Sequence, residues 1–164
     1  VAFLNPGVRV QLRVTPPWRP LAVTREQSKL LVDIGGADVI REMLTRFYSH
    51  MFKDSLLNTF IFEKDGPEHH GKRFADWVIE AMGGEGRPMT ESGREHMILP
   101  MHHKAAYSVK RDPQVRGRRF NTVDSRIWQR LHFLAVRECG LARHTAFWKW
   151  YVEYITLYMP IYSQ

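Results

Sequence analysis

The stretch PEHHGKRFADWVIEAMGG, residues 67–84, decides the fold class. Pro67 suits the first turn of a helix, where a missing N–H costs nothing, and Gly83-Gly84 suits its end. Between them Phe74, Trp77, Val78 and Ala81 recur at helical spacing and share a face with His70. His69 falls with Arg73, Asp76 and Glu80 on the other face. Helical phase therefore separates the histidine pair, with His70 expected to look inward and His69 outward.

The same pattern continues on both sides of this stretch. Before it, Val39, Ile40, Met43, Leu44, Phe47, Tyr48 and Met51 form an apolar stripe over a helix from about 37 to 51. A shorter helix, opened by Thr24 as N-cap and reaching Leu31, is stopped by Gly35-Gly36. After it, an irregular stretch rich in Gly, Arg and Met leads to a segment from His96 to about Val109, with Pro100 disturbing its first part. Asn121 or Thr122 can cap a helix through Ile127, Trp128, Leu131, Leu134 and Ala135 that ends at Gly140. A last helix from about His144 to Tyr162 is aromatic over so broad a face that it must be buried on most sides or covered by a partner. No strand pattern or repeat stands out, so the fold class is all-α, with about six helices.

Composition sets the outer limits. At 164 residues the chain fits one domain able to bury roughly 70% of its unfolded surface, enough for a core that encloses a ligand. Residues 1–23 carry four prolines and no helical period, and are read as an extended arm anchored by Trp18, leaving 24–164 as the domain. The single Cys139 excludes an internal disulfide or a CxxC site and fits a reducing, cytoplasmic setting. No apolar run reaches the ~18 residues of a membrane helix, so no membrane partner is expected. The first residue is Val, which suggests a processed or trimmed start and leaves the loss of an organellar targeting segment open. Net charge is +7, concentrated at Lys110–Arg119, a run read first as a solvated loop and second as a patch for an acidic partner.

Four signatures occur in fixed order: Ile34-Gly35-Gly36, Phe47-Tyr48, Gly83-Gly84 and Trp128. In order and spacing they resemble the truncated haemoglobins, most closely the second group, over about residues 27 to 160. The arm before them and the basic insertion between Tyr107 and Asp124 depart from the short family pattern.

The resemblance implies a two-over-two helical sandwich holding haem b through one proximal histidine. Family spacing places that ligand at His103 or His102, with His103 preferred because Leu99 stands four residues before it. Tyr48 would be the main donor to a bound ligand, and Trp128 a second through its indole N–H. His70 falls where the third helix looks onto the iron, either stabilising the ligand or binding the iron itself. Phe62 or Phe60 would stack on the porphyrin edge, with Phe74, Leu99 and Tyr107 also against the cofactor. Arg73, Lys104 and Arg111 are candidates for its propionates.

The function so implied is binding of O2, NO, CO, sulfide or a small anionic ligand. A donor-rich pocket favours redox, detoxifying or sensing work over oxygen transport, including NO dioxygenase, nitrite reductase or peroxidase-like chemistry with a reductase partner. Two other classes compete with it: a basic helical module binding nucleic acid through residues 110–119, and a non-haem metal protein using His70, His102 and His103. The first gains nothing from the Gly-Gly and Phe-Tyr pattern, and the second lacks an HExxH motif.

Overall fold

Both Gly-Gly pairs end their helices with the same device. In the computed structural model, which describes residues 25–61, 66–84, 86–94 and 97–163, helix α1 spans Arg25–Asp33 and α3 spans Pro67–Ala81. After α1, Gly36 N–H donates to Leu31 and Gly35 N–H to Val32. After α3, Gly84 N–H donates to Ile79 and Gly83 N–H to Glu80. These paired bonds form a Schellman motif, which needs a left-handed residue just past the helix. Gly35 and Gly83 fill that place with φ of 102° and 72°, a conformation that strains side-chain-bearing residues. The arm 1–23, with the proposed Thr24 cap, lies outside the described residues.

Helix α2 covers Ala37–Lys53 and buries Ile40, Met43, Leu44, Phe47 and Met51 along one stripe. Its tightest neighbour is α3: a Cβ on Gly71 would come within 2.9 Å of the Thr45 backbone. A 3-10 turn at Leu57–Phe60 leads away from α2.

The stretch expected to be irregular contains a further short helix, α4, at Pro88–Glu91. Local propensity is not its cause. The Glu80 carboxylate at the end of α3 accepts from Met89 N–H at 2.8 Å, from Thr90 N–H and from the Thr90 hydroxyl, which ties α4 to α3. Helix α5 runs Ile98–Ala106 and accommodates Pro100 within its first turn, where no intrahelical N–H is required.

Asn121 is the cap of α6, Thr122–Glu138. Its side chain accepts from Val123 and Asp124 N–H, and Asp124 reaches back to Asn121 N–H at 2.9 Å, a closed capping box. Gly140 follows, then a 3-10 turn at Leu141–Arg143 and the last helix, α7, at Thr145–Ser163. Phe147, Trp148, Trp150, Tyr151, Val152, Tyr154 and Ile155 of α7 are all buried, so the broad aromatic face is spent on the protein's own core. The described residues contain seven α-helices and no strand, and none of these helices is long and apolar enough to cross a membrane.

Candidate functional site

A cleft of about 200 Å³, partly open to solvent, lies between the helices and the loop before α6. Helix α5 contributes His102, Ala105 and Ala106. Tyr48 and Met51 come from α2, His70 from α3, Trp128 from α6 and Tyr162 from α7, while Phe60, Ile61, Arg111, Arg118, Arg119 and Phe120 complete the rim.

His102 lines this cleft and His103 does not. One residue rotates a helical position by about 100°, and α5 spends that rotation turning His103 outward, exposed and 4.8 Å from the Tyr107 ring. The expected preference for His103 over His102 is therefore reversed by position, and Tyr107, more than half exposed, leaves the cleft with it. The His102 ring packs edge-on against Tyr162 at 4.6 Å between centroids. Its Nδ1 lies 2.7 Å from the Ile98 carbonyl one turn back. A carbonyl can only accept, so Nδ1 carries the hydrogen and Nε2 keeps a lone pair. The residue is exposed by area at the rim, yet desolvation of the ring lowers its pKa against the opposing pull of the Ile98 bond, which favours the neutral form. A neutral imidazole oriented through its other nitrogen is the arrangement of a metal ligand.

Tyr48 and His70 face one another with ring centroids 5.3 Å apart. Tyr48 is partly open because it borders the cleft, but burial pushes its phenol up to about 12 even with Arg73 acting against the shift, so it stays a hydrogen-bond donor at neutral pH. Arg73 Nη2 lies 3.0 Å from His70 Nδ1. A guanidinium can only donate, so His70 takes the tautomer opposite to that of His102: Nδ1 accepts and Nε2 bears the hydrogen. That tautomer makes His70 a donor toward the cleft and withholds the lone pair that iron ligation would require. His69 is exposed. Trp128 is 3% exposed and packs between the Tyr162 ring at 5.2 Å and the His132 ring at 4.2 Å.

The basic insertion is not a simple solvated loop. Arg111 is 5% exposed and donates to the Phe60 carbonyl at 2.8 Å, with its guanidinium carbon 5.7 Å from the Phe60 ring centre. Arg118 lies over the same ring at 4.8 Å and reaches both oxygens of the buried Asp124 at 3.3 Å. Burial, and then the charge of Arg118, lower the pKa of Arg111. The cations are folded back as a lip on the cleft, suited to an anionic group at its mouth, and fewer of them are left to face an outside polyanion.

Of the other expected contacts, Phe74 is buried against His132 and Tyr158 rather than lining the cleft, and Lys104 is exposed. Phe62 and the Leu99 side chain lie outside what the structure describes, and Phe60 stands on the rim. Met51, Arg118, Arg119, Phe120 and Tyr162 enter the site without a sequence signal of their own, because long-range packing brings them there. Among the described residues no three His, Cys, Asp or Glu side chains come together around a metal position, so the three-histidine metal reading has no donor set. The chain matches no protein-family model, no curated protein and no solved structure.

Proposed function

We propose that the cleft binds haem b, with His102 as the histidine that would hold its iron, in a truncated-globin-like two-over-two arrangement of the helices. The observation that carries this reading is the paired tautomers. His102 spends Nδ1 on a backbone carbonyl and keeps Nε2 for a metal, while His70, on another wall of the same cleft, accepts from Arg73 at Nδ1 and so carries its hydrogen on Nε2. The donor set fits the group: one neutral imidazole, the apolar and aromatic walls of Met51, Ile61, Phe120 and Trp128, and arginines at the rim for carboxylates.

Bound haem supplies reversible coordination of O2, NO, CO or sulfide, and one-electron chemistry on them. Around it the chain's own groups set the outcome. Tyr48, protonated because it is desolvated, and the Nε2–H of His70 donate to a polar or anionic ligand, while the buried Trp128 keeps that side dry. Such donors slow ligand release, which suits redox, detoxifying or sensing work with an external reductase more than transport.

Titration with ferric haem tests the reading. The expected result is a one-to-one complex with a Soret band, lost or weakened at least tenfold in His102→Ala and retained in His103→Ala. Retention in the first variant with loss in the second reverses the assignment, and no Soret band in any form ends the haem reading.

A further inference from the structure

His132 and Tyr151 lie outside the cleft lining and have no part in the function just proposed. His132 is 1% exposed and Tyr151 0%, and the Tyr151 hydroxyl lies 2.8 Å from His132 Nδ1. Two hydrogen placements are open to this pair. If Nδ1 donates, both the phenolic hydrogen and the Nε2 lone pair are left without a partner. If the phenol donates, only the Nε2–H is, and Nε2 is indeed a buried atom with no hydrogen-bond partner. The second placement wastes less, so Tyr151 donates to His132.

The pair is embedded in oxidisable rings that reach the cleft. His132 lies flat on Phe47 at 3.6 Å and 14°, and edge-on to the cleft-lining Trp128 at 4.2 Å. Beyond Tyr151, Trp150 stacks on Tyr154 at 4.9 Å, and Tyr158 donates a hydrogen bond to Tyr154 at 2.9 Å. A phenol gives up an electron readily only when its proton can leave at the same time, and here a nitrogen base stands at hydrogen-bond distance in a site closed to water.

We propose that Tyr151 is a redox-active tyrosine, oxidised by one electron through Trp128 from the cleft while its proton passes to His132. The phenolic O–H bond breaks, an N–H bond forms on Nδ1, and the products are a neutral tyrosyl radical and an imidazolium. The electron goes to Trp128, itself oxidised by one electron from the cleft. The ultimate oxidant is a hydroperoxide reduced at the haem, so this step rests on the haem reading. With haem bound, hydrogen peroxide would take one electron from Tyr151 and one from the haem, together with two protons from buffer acid, and leave as two waters, while the phenolic proton stays on His132. The face of Phe47 stabilises the transient imidazolium by a cation–π contact. Burial holds His132 far below its ordinary basicity, so the proton returns once the radical is reduced and the site is reset.

The test uses the whole chain, loaded with haem and checked by its Soret band, mixed with hydrogen peroxide and frozen for electron paramagnetic resonance. The expected signal is a protein radical that narrows when the tyrosines are ring-deuterated. It is abolished in Tyr151→Phe and unchanged in Tyr107→Phe, the variant at an exposed ring. His132→Gln, whose amide oxygen can accept the hydrogen bond but not the proton, lowers it at least tenfold with the Soret band intact. Circular dichroism confirms that each variant is folded. A signal that survives Tyr151→Phe, or disappears with Tyr107→Phe, or never forms in Soret-bearing protein, overturns the proposal while leaving haem binding standing. Should no Soret band form, the haem reading fails separately, and the pair is tested by oxidising Tyr107→Phe protein with photogenerated tris(bipyridine)ruthenium(III). Absence of a Tyr151 radical there also overturns it.

Discussion

Arg73 fixes the tautomer of His70 while desolvation favours the neutral forms of His102 and His132, and each cause predicts something. His70 is held in its tautomer by Arg73, an exposed residue whose removal leaves the core alone. Arg73→Leu releases Nδ1, lets the hydrogen move there and frees Nε2 to coordinate. If haem is bound as proposed, the expected result is a shift of its spectrum toward a six-coordinate, low-spin form, read by absorbance, and an unchanged spectrum contradicts the tautomer assignment. His132 is neutral because it is buried, with its pKa lowered well below 6.5. The unfolded chain then binds a proton below pH 6.5 that the folded chain refuses, so stability is complete above that pH and falls as pH drops, by up to about 1.4 kcal/mol per pH unit for this one group. Urea denaturation from pH 7 to 5 should show a shallower decline in His132→Gln than in the parent. His102 adds a slope of the same sign, since desolvation lowers its pKa too. At this scale the sequence was partly legible. Helical phase distinguished His70 from His69 on a long, regular helix. It did not distinguish His102 from His103, because α5 is only nine residues long and its phase is set by what it packs on.

Among the elements, the ends were more readable than the contacts. Gly-Gly pairs and Asn121 are local chemistry: a left-handed residue past a helix, and a side chain bonding the first free N–H groups, are decided within a few positions. Asn121→Ala should cost about 1 kcal/mol by opening the capping box, and it also loosens the Asp124 carboxylate that Arg118 holds. Gly71 was invisible as a packing residue, since nothing in the local pattern says that another backbone approaches it. Adding a methyl there meets the Thr45 backbone at 2.9 Å, and Gly71→Ala should destabilise by about 1–3 kcal/mol despite its better helix propensity. Thermal denaturation checks both, and a Gly71→Ala protein as stable as its parent would mean that α2 and α3 are free to separate. Helix α4 escaped the sequence reading for the same reason, because a carboxylate on α3 holds it in place.

At the level of the whole molecule, the all-α class followed from periodicity, whereas the cleft belongs to no single segment. Its walls come from α2, α3, α5, α6, α7 and the loops after α2 and before α6. The insertion looked like an appendage by composition, yet Arg111 and Arg118 clamp it to Phe60, making it part of the wall. Tyr162 is the last contributor: its ring touches His102, Phe120 and Trp128, and its carbonyl accepts from Phe120 N–H at 2.9 Å. On the haem reading, Tyr162→Ala should speed haem entry severalfold in stopped-flow mixing by removing a ring from its path, without abolishing binding. Equal rates in parent and variant would place Tyr162 aside from the route. There is a consequence for synthesis. A nascent chain that has not yet cleared the ribosome through Tyr162 has α5 and His102 outside but no finished wall around them. If the cleft takes haem as proposed, its capture then waits until Tyr162 has emerged and the wall beside His102 can close.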